Sequence, residues 1–180
     1  MRRKNTTTEM MKSYIVESLL ILIKEKPFAD ITISDIVNRA GVNRSTYYRH
    51  FYAKEDIVTY FFDNLMHEYM NLFKQNSNPT FYQYLLTIFS TFSKHKEDLL
   101  IIHKAGLSHL YIVVLNKWFQ FHPSGATISN TKQFEIAYHI GGIYNNTLLW
   151  LEHEMKESPS EMAIMALSLR PDGALTLLNI

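Results

Sequence analysis

Apolar residues at Met11, Ile15, Leu19 and Leu22 recur at helical spacing and predict an amphipathic first helix over about 7–25, stopped by Pro27. Thr32 is a good N-cap for a short helix over about 33–40, with Asp35 in its first turn at the capping-box position. Gly41 supplies a sharp exit, Asn43 caps a third helix over about 44–50, and Phe51 plugs the core behind it. A long fourth helix opens at Lys54 and runs to about Gln75, with Ile57, Phe61, Leu65 and Tyr69 along one side. The polar stretch QNSNPT breaks the pattern at 75–80, and a fifth helix follows over Phe81–Lys94. Shorter helices are expected over about 97–104 and 107–121, then a loop at His122–Gly125, an eighth helix over about 130–155 and a ninth over 160–169. Arg170-Pro171-Asp172-Gly173 ends regular helix, leaving a tail with Leu175, Leu177 and Leu178 free to dock. No strand-period segment occurs, so the expected class is all-α with about nine helices.

A chain of 180 residues, 47% of them hydrophobic, can bury a substantial core. It contains no cysteine, which excludes disulfides, thiolate zinc sites and a cysteine nucleophile and fits a cytoplasmic protein. The opening MRRKNTTTEMMKSY is basic but lacks an apolar signal core, and greasy runs such as Leu110–Leu115 are too short to span a bilayer, so no membrane association is expected. Net charge is only +1, yet its distribution is uneven. Residues 1–56 hold ten basic against seven acidic side chains, and the remainder eight against ten. A basic front and slightly acidic back suit a DNA-facing end joined to something else.

The segment 31–54, ITISDIVNRAGVNRSTYYRHFYAK, describes two short helices joined by a tight turn. Ile36, Val37, Ala40, Val42 and either Tyr47 or Phe51 would fix the angle between them, leaving Arg44, Ser45, Thr46, Tyr48, Arg49 and His50 exposed. A solvated helix face ordinarily mixes Glu with Lys, whereas no acid falls between Asp35 and Glu55. Such a helix suits the major groove, with the preceding helix braced across the backbone.

Phe28, Ile31-Thr32, Asp35-Ile36, Ala40-Gly41-Val42, Thr46, Tyr48, His50-Phe51 and Lys54-Glu55 together resemble the DNA-binding domain of the tetracycline-repressor-like (TetR) family of bacterial regulators. The stretch Lys156–Met162, with Glu157, Ser158-Pro159 and Glu161, is similar to the last inter-helix junction of many members. The resemblance implies a helix-turn-helix domain over 1–55 and a helical effector-binding and dimerisation domain over 56–180. It further implies that Thr32, Thr46, Tyr48, His50 and Lys54 touch phosphates, which fixes register without reading sequence. Base reading then falls to Arg44 and Tyr47, with Ser34, Asn43 and Ser45 beside them; an arginine can donate twice to guanine. Tyr47 departs from the smaller or aliphatic residue common at its position, and either packs on a thymine methyl or completes the core. Arg2, Arg3 and Lys4 form either an arm reaching a neighbouring minor groove or phosphates, or a solvated start.

One helix-turn-helix reads few base pairs, so a homodimer on a palindromic operator is expected. As in the family, helices eight and nine are the candidate interface, with Gly141, Tyr144, Leu148, Met162, Met165 and Leu169. Relatives usually bind a small molecule among helices four to eight, where His103, Tyr111, Trp118, Tyr138 and Asn145 are candidate liners. The absence of concentrated charge there favours an apolar or neutral effector. The expected function is a ligand-responsive repressor; the alternative is an activator or co-activator of the same fold without an effector. Catalysis is not expected: His67-Glu68 and His153-Glu154 lack the second histidine of a zinc motif, and no GxSxG elbow, phosphate loop, metal set or cofactor motif occurs. The remaining rival is a helical protein-interaction module whose helix-turn-helix is only structural.

Overall fold

The computed structural model describes residues 2–77, 80–120 and 129–169. Among them the chain forms α1 (Arg2–Glu25), a 3-10 turn (Phe28–Asp30), α2 (Ile33–Ala40), α3 (Arg44–Tyr48), α4 (Lys54–Lys74), α5 (Phe81–Lys94), α6 (Lys96–Lys104), α7 (His109–Gln120), α8 (Asn130–Glu152) and α9 (Pro159–Ser168), with no strand. The expected loop at 122–125, Pro79 and the tail beyond Leu169 lie outside the described residues.

Local chemistry places the breaks. Thr32 Oγ1 accepts from the Asp35 N–H at 3.1 Å, and Asp35 Oδ2 accepts from the Thr32 N–H at 2.8 Å, closing the predicted capping box. Lys26 Nζ donates to the same oxygen at 2.7 Å and, with the Thr32 bonds, holds the Asp35 carboxyl far below the usual carboxylate range. Gly41 ends α2 at φ 63°, a left-handed conformation that glycine adopts without Cβ strain. Asn43 occupies the N-cap position of α3 but its side chain makes no capping bond. Asp56 caps α4 by accepting from the Tyr52 and Ala53 N–H groups, and Ser158 with Glu161 forms a capping box on α9, whose first residue is Pro159.

α1, α2 and α3 pack as a small unit on the start of α4, while α5 lies along α9 and α4 along both α5 and α7. One continuous core runs from Ile15 and Leu19 through Ile36, Phe51, Phe61 and Phe89 to Trp150. Ala40 and Val42, expected to help fix the angle between α2 and α3, are partly buried and pack against its edge.

Three boundaries differ from expectation. α1 starts at Arg2, well before the periodic apolar positions begin, so the basic opening is helical and not an extended arm. α3 is five residues long, leaving His50 in the turn that follows. α8 stops at Glu152 because Glu154 and Met155 both take left-handed conformations, which tuck Met155 into the core and turn the chain into α9. Lys96 of α6 donates to the Met155 carbonyl at 3.2 Å, and the Trp150 indole donates to the Glu157 carbonyl at 3.0 Å, fastening this junction.

Candidate nucleic-acid interface

α3 is held by Val42 N–H donating to Val37 O, and by Tyr47 and Phe51 beneath it. Ser34, Asn43, Arg44, Ser45, Tyr48 and Arg49 are exposed, and Thr46 and His50 are half-buried. These side chains share one end of the molecule with no carboxylate among them. The Arg44 guanidinium lies 5.8 Å from the centre of the Tyr48 ring and donates to the Tyr48 hydroxyl at a long 3.5 Å. Tyr48 in turn meets Tyr47 edge to face at 5.3 Å. The arginine is therefore braced before any DNA arrives, which lowers the side-chain entropy it loses on binding.

Two of the candidate contact residues point inward. Tyr47 is fully buried, with its ring against Phe51 and its hydroxyl sealed without a partner; burial pushes that hydroxyl up to about 12. It completes the core and does not face the bases. Lys54 is also committed inward: its ammonium donates to the carbonyls of Phe28 at 2.7 Å, Ile31 at 2.6 Å and Ala29 at 3.4 Å, and sits 4.6 Å from the centre of the Phe28 ring. It fastens the 3-10 turn to the start of α4, so no donor is left over for a phosphate. Thr32 is exposed, but its hydroxyl already donates to Asp35 Oδ2 at 2.7 Å. Burial first, then Lys12 and Arg49, lower the His50 pKa, so it offers a neutral imidazole at pH 7. Tyr52, outside the expected set, is 88% exposed beside His50 and Lys12; its backbone N–H is tied to Asp56, which turns the ring outward.

The five expected effector liners do not converge. Tyr111 is buried and stacked on Phe62 at 5.2 Å, Trp118 donates to Asp63 at 2.7 Å, and His103 bonds Ser108 at 3.0 Å. Tyr138 is 62% exposed, and exposed Asn145 spends its amide on the Gly141 carbonyl. Both face away from the interior. The inward place belongs to His139, whose Nε2 lies 3.2 Å from the Tyr84 hydroxyl between Phe81 and Phe119. Tyr84 also bonds Tyr69, and Tyr111 bonds Thr147, so the polar groups of this aromatic interior are paired. A cleft of about 520 Å³ lies elsewhere, between α1, α4 and the start of α6, over Leu20, Phe61 and Leu65 with Glu68, His95 and Asp98 at its rim.

Burial lowers His139 from the ordinary 6.5 to about 4. The unfolded chain therefore takes up a proton below pH 6.5 that the folded chain refuses until about 4, and stability drains as pH falls through that window. Thermal melts between pH 7 and 4.5 are expected to show a smaller decline for His139→Gln than for the native chain.

On α8 and α9, Gly141, Tyr144 and Leu148 are half-buried, and Met165 and Leu169 are exposed. A Cβ added at Gly141 or Gly142 would meet nothing within 4 Å, so these glycines face open space. Phe134, Tyr138, Leu149 and Ile164 extend the exposed apolar surface. Met162 is the exception: it is buried within its own subunit, where α9 packs on α5.

A short bracing helix followed by an acid-free, outward-facing one defines a helix-turn-helix DNA-binding protein. Residues 15–60 match the model of bacterial regulatory proteins of the tetR family. Among curated proteins none matches. Among solved structures, the "Dihydroxyacetone kinase operon activator DhaS" is similar in fold, with TM-score 0.55 and 17% identity over 94% of this chain and 96% of that one. A TetR transcriptional regulator from Streptococcus agalactiae 2603V gives TM-score 0.52 and 21% identity over 92% and 96%. Regulators of this family are generally DNA-binding proteins and not enzymes. No single helix among the described residues is long and apolar enough to cross a membrane, and no group of three or more His, Asp or Glu among them is placed to hold a metal.

Proposed function

We propose that this protein is a cytoplasmic, sequence-specific transcriptional regulator that binds a palindromic operator as a homodimer and represses in response to a small apolar or neutral effector. Its DNA-binding part is residues 1–55 and its effector and dimerisation part 56–180. The observation that carries the DNA-binding reading is the outward face of α3, with Arg44 braced on Tyr48 and no carboxylate to repel phosphate. Arg44 reads base edges; Thr46, Tyr48 and His50 set register on the backbone, with Ser34, Asn43 and Ser45 alongside. The dimer uses the apolar face of α8 and α9, where Ile164, Met165 and Leu169 are exposed among the described residues.

A second reading, an activator without an effector, draws on two observations. Tyr138 and Asn145 face outward, and the inner tyrosines and His139 bond one another. One similar structure is also named as an operon activator.

The test is selection of bound sites from random DNA followed by gel shift on the recovered fragments. Half-sites are expected as inverted repeats. Arg44→Ala should relax preference at one base position at a cost of about 1–3 kcal/mol, roughly 10- to 100-fold. Tyr48→Phe should weaken all sequences alike. An asymmetric motif would contradict the dimer, and no binding at all would contradict the regulator.

A further inference from the structure

The cleft between α1, α4 and the start of α6 has no part in the DNA-binding reading. Its volume of about 520 Å³ falls within the range of small-molecule sites, about 300–1,000 Å³. Val16 and Ile21 of α1 are half-buried along one wall, and Phe61 and Leu65 of α4 form the floor. Glu17, Glu68 and Asp98 bring three carboxylates to the lining, against Lys24 and His95. Glu68 is already matched: Lys94 Nζ donates to its Oε1 at 2.7 Å, and His95 Nε2 lies 2.9 Å from its Oε2. Glu17 and Asp98 bond no side chain among the described residues, and the ammonium of Lys24 is the cation left to balance them. One negative charge stays unmatched. Partial burial raises the Asp98 pKa, because water reaches this carboxylate incompletely.

A neutral apolar molecule would cover the floor but strip more water from an unpaired carboxylate, and an anion would be repelled. A monocation with an apolar tail satisfies both the floor and the excess charge. We propose that this cleft binds an amphiphilic organic monocation, a primary alkyl amine whose ammonium lies between Glu17 and Asp98 and whose tail lies on Phe61 and Leu65. The site lies outside the aromatic interior among α4 to α8 and takes a ligand of another charge class. It therefore stands or falls apart from the effector and DNA-binding readings. Glu17 belongs to α1 and Asp98 to α6, so the bound ammonium ties a helix of the front unit to one of the rear.

The test titrates the full chain at pH 7 with octylamine, octanol and octanoate, which share a tail and differ in the head, below millimolar concentration. Calorimetry reads affinity and methyl NMR reads location. Octylamine is expected to bind about tenfold or more tighter than octanol, the worth of a hydrogen bond to a charged group, with octanoate weakest. Methyl shifts should centre on Val16, Ile21 and Leu65. Glu17→Gln and Asp98→Asn should each bring octylamine down toward octanol while leaving octanol unchanged. Glu17 is exposed on α1, so its variant carries the test even if Asp98→Asn fails to fold. Equal affinity for the three heads, no binding of octylamine, shifts confined to the interior around Tyr84 and Tyr111, or an amine preference that survives the substitutions overturns the proposal. Each of those results leaves the operator experiment untouched.

Discussion

Replacing Ile164 and Met165 together with glutamate is expected to leave the protein monomeric at micromolar concentration and to lower operator affinity by about 10²- to 10⁴-fold. Both side chains are exposed on α9, so the fold loses little when they change. In the proposed dimer they would bring unpaired charges into an apolar contact, which costs several kcal/mol per buried ion. Losing the dimer turns a two-site engagement into two single ones, and the linkage advantage of about 10²- to 10⁴-fold goes with it. Sedimentation velocity reads the assembly state and gel shift reads the affinity. A variant that still sediments as a dimer would place the interface elsewhere.

Lys54→Met is expected to destabilise the protein by about 2–3 kcal/mol, seen as a lower melting temperature before any DNA is added. The substitution keeps the stem's length and volume but withdraws the ammonium from three carbonyls of residues 28–31. Partly buried acceptors stripped of a charged donor cost about 1–3 kcal/mol. The role implied by resemblance makes a different prediction: a lysine that only touches phosphate would leave the melt unchanged and reduce the salt slope by about 1. One melt and one salt series on the same variant separate the two roles.

What the sequence conveyed well was local. Thr32, Asp35 and Gly41 set the limits of α2 through bonds spanning three or four residues, and the structure has them as read. What it conveyed poorly involves neighbours that a helix turns to different sides. Tyr47 and Tyr48 are chemically alike, and α3 is too short for periodicity to say which goes inward. Tyr138 and His139 pose the same problem on α8, which mixes apolar and polar residues around its whole circumference. Met162 and Met165 sit on a helix that is apolar on two sides, one for its own subunit and one left open. Lys54 escaped for another reason: its acceptors are backbone carbonyls more than 20 residues upstream, which no side-chain pattern records.

α4 belongs to both ends of the molecule. Its first turns, with Ile57, Val58 and Phe61, help close the core beneath α3, and its later ones, with Leu65, Tyr69 and Phe73, are enclosed by the rear helices. α4 runs unbroken between the two, with no loop inside it. A shove applied at Phe73 travels to Lys54 along some 30 Å of continuous rod, at 1.5 Å per residue. The two ends therefore share one helix and one continuous core.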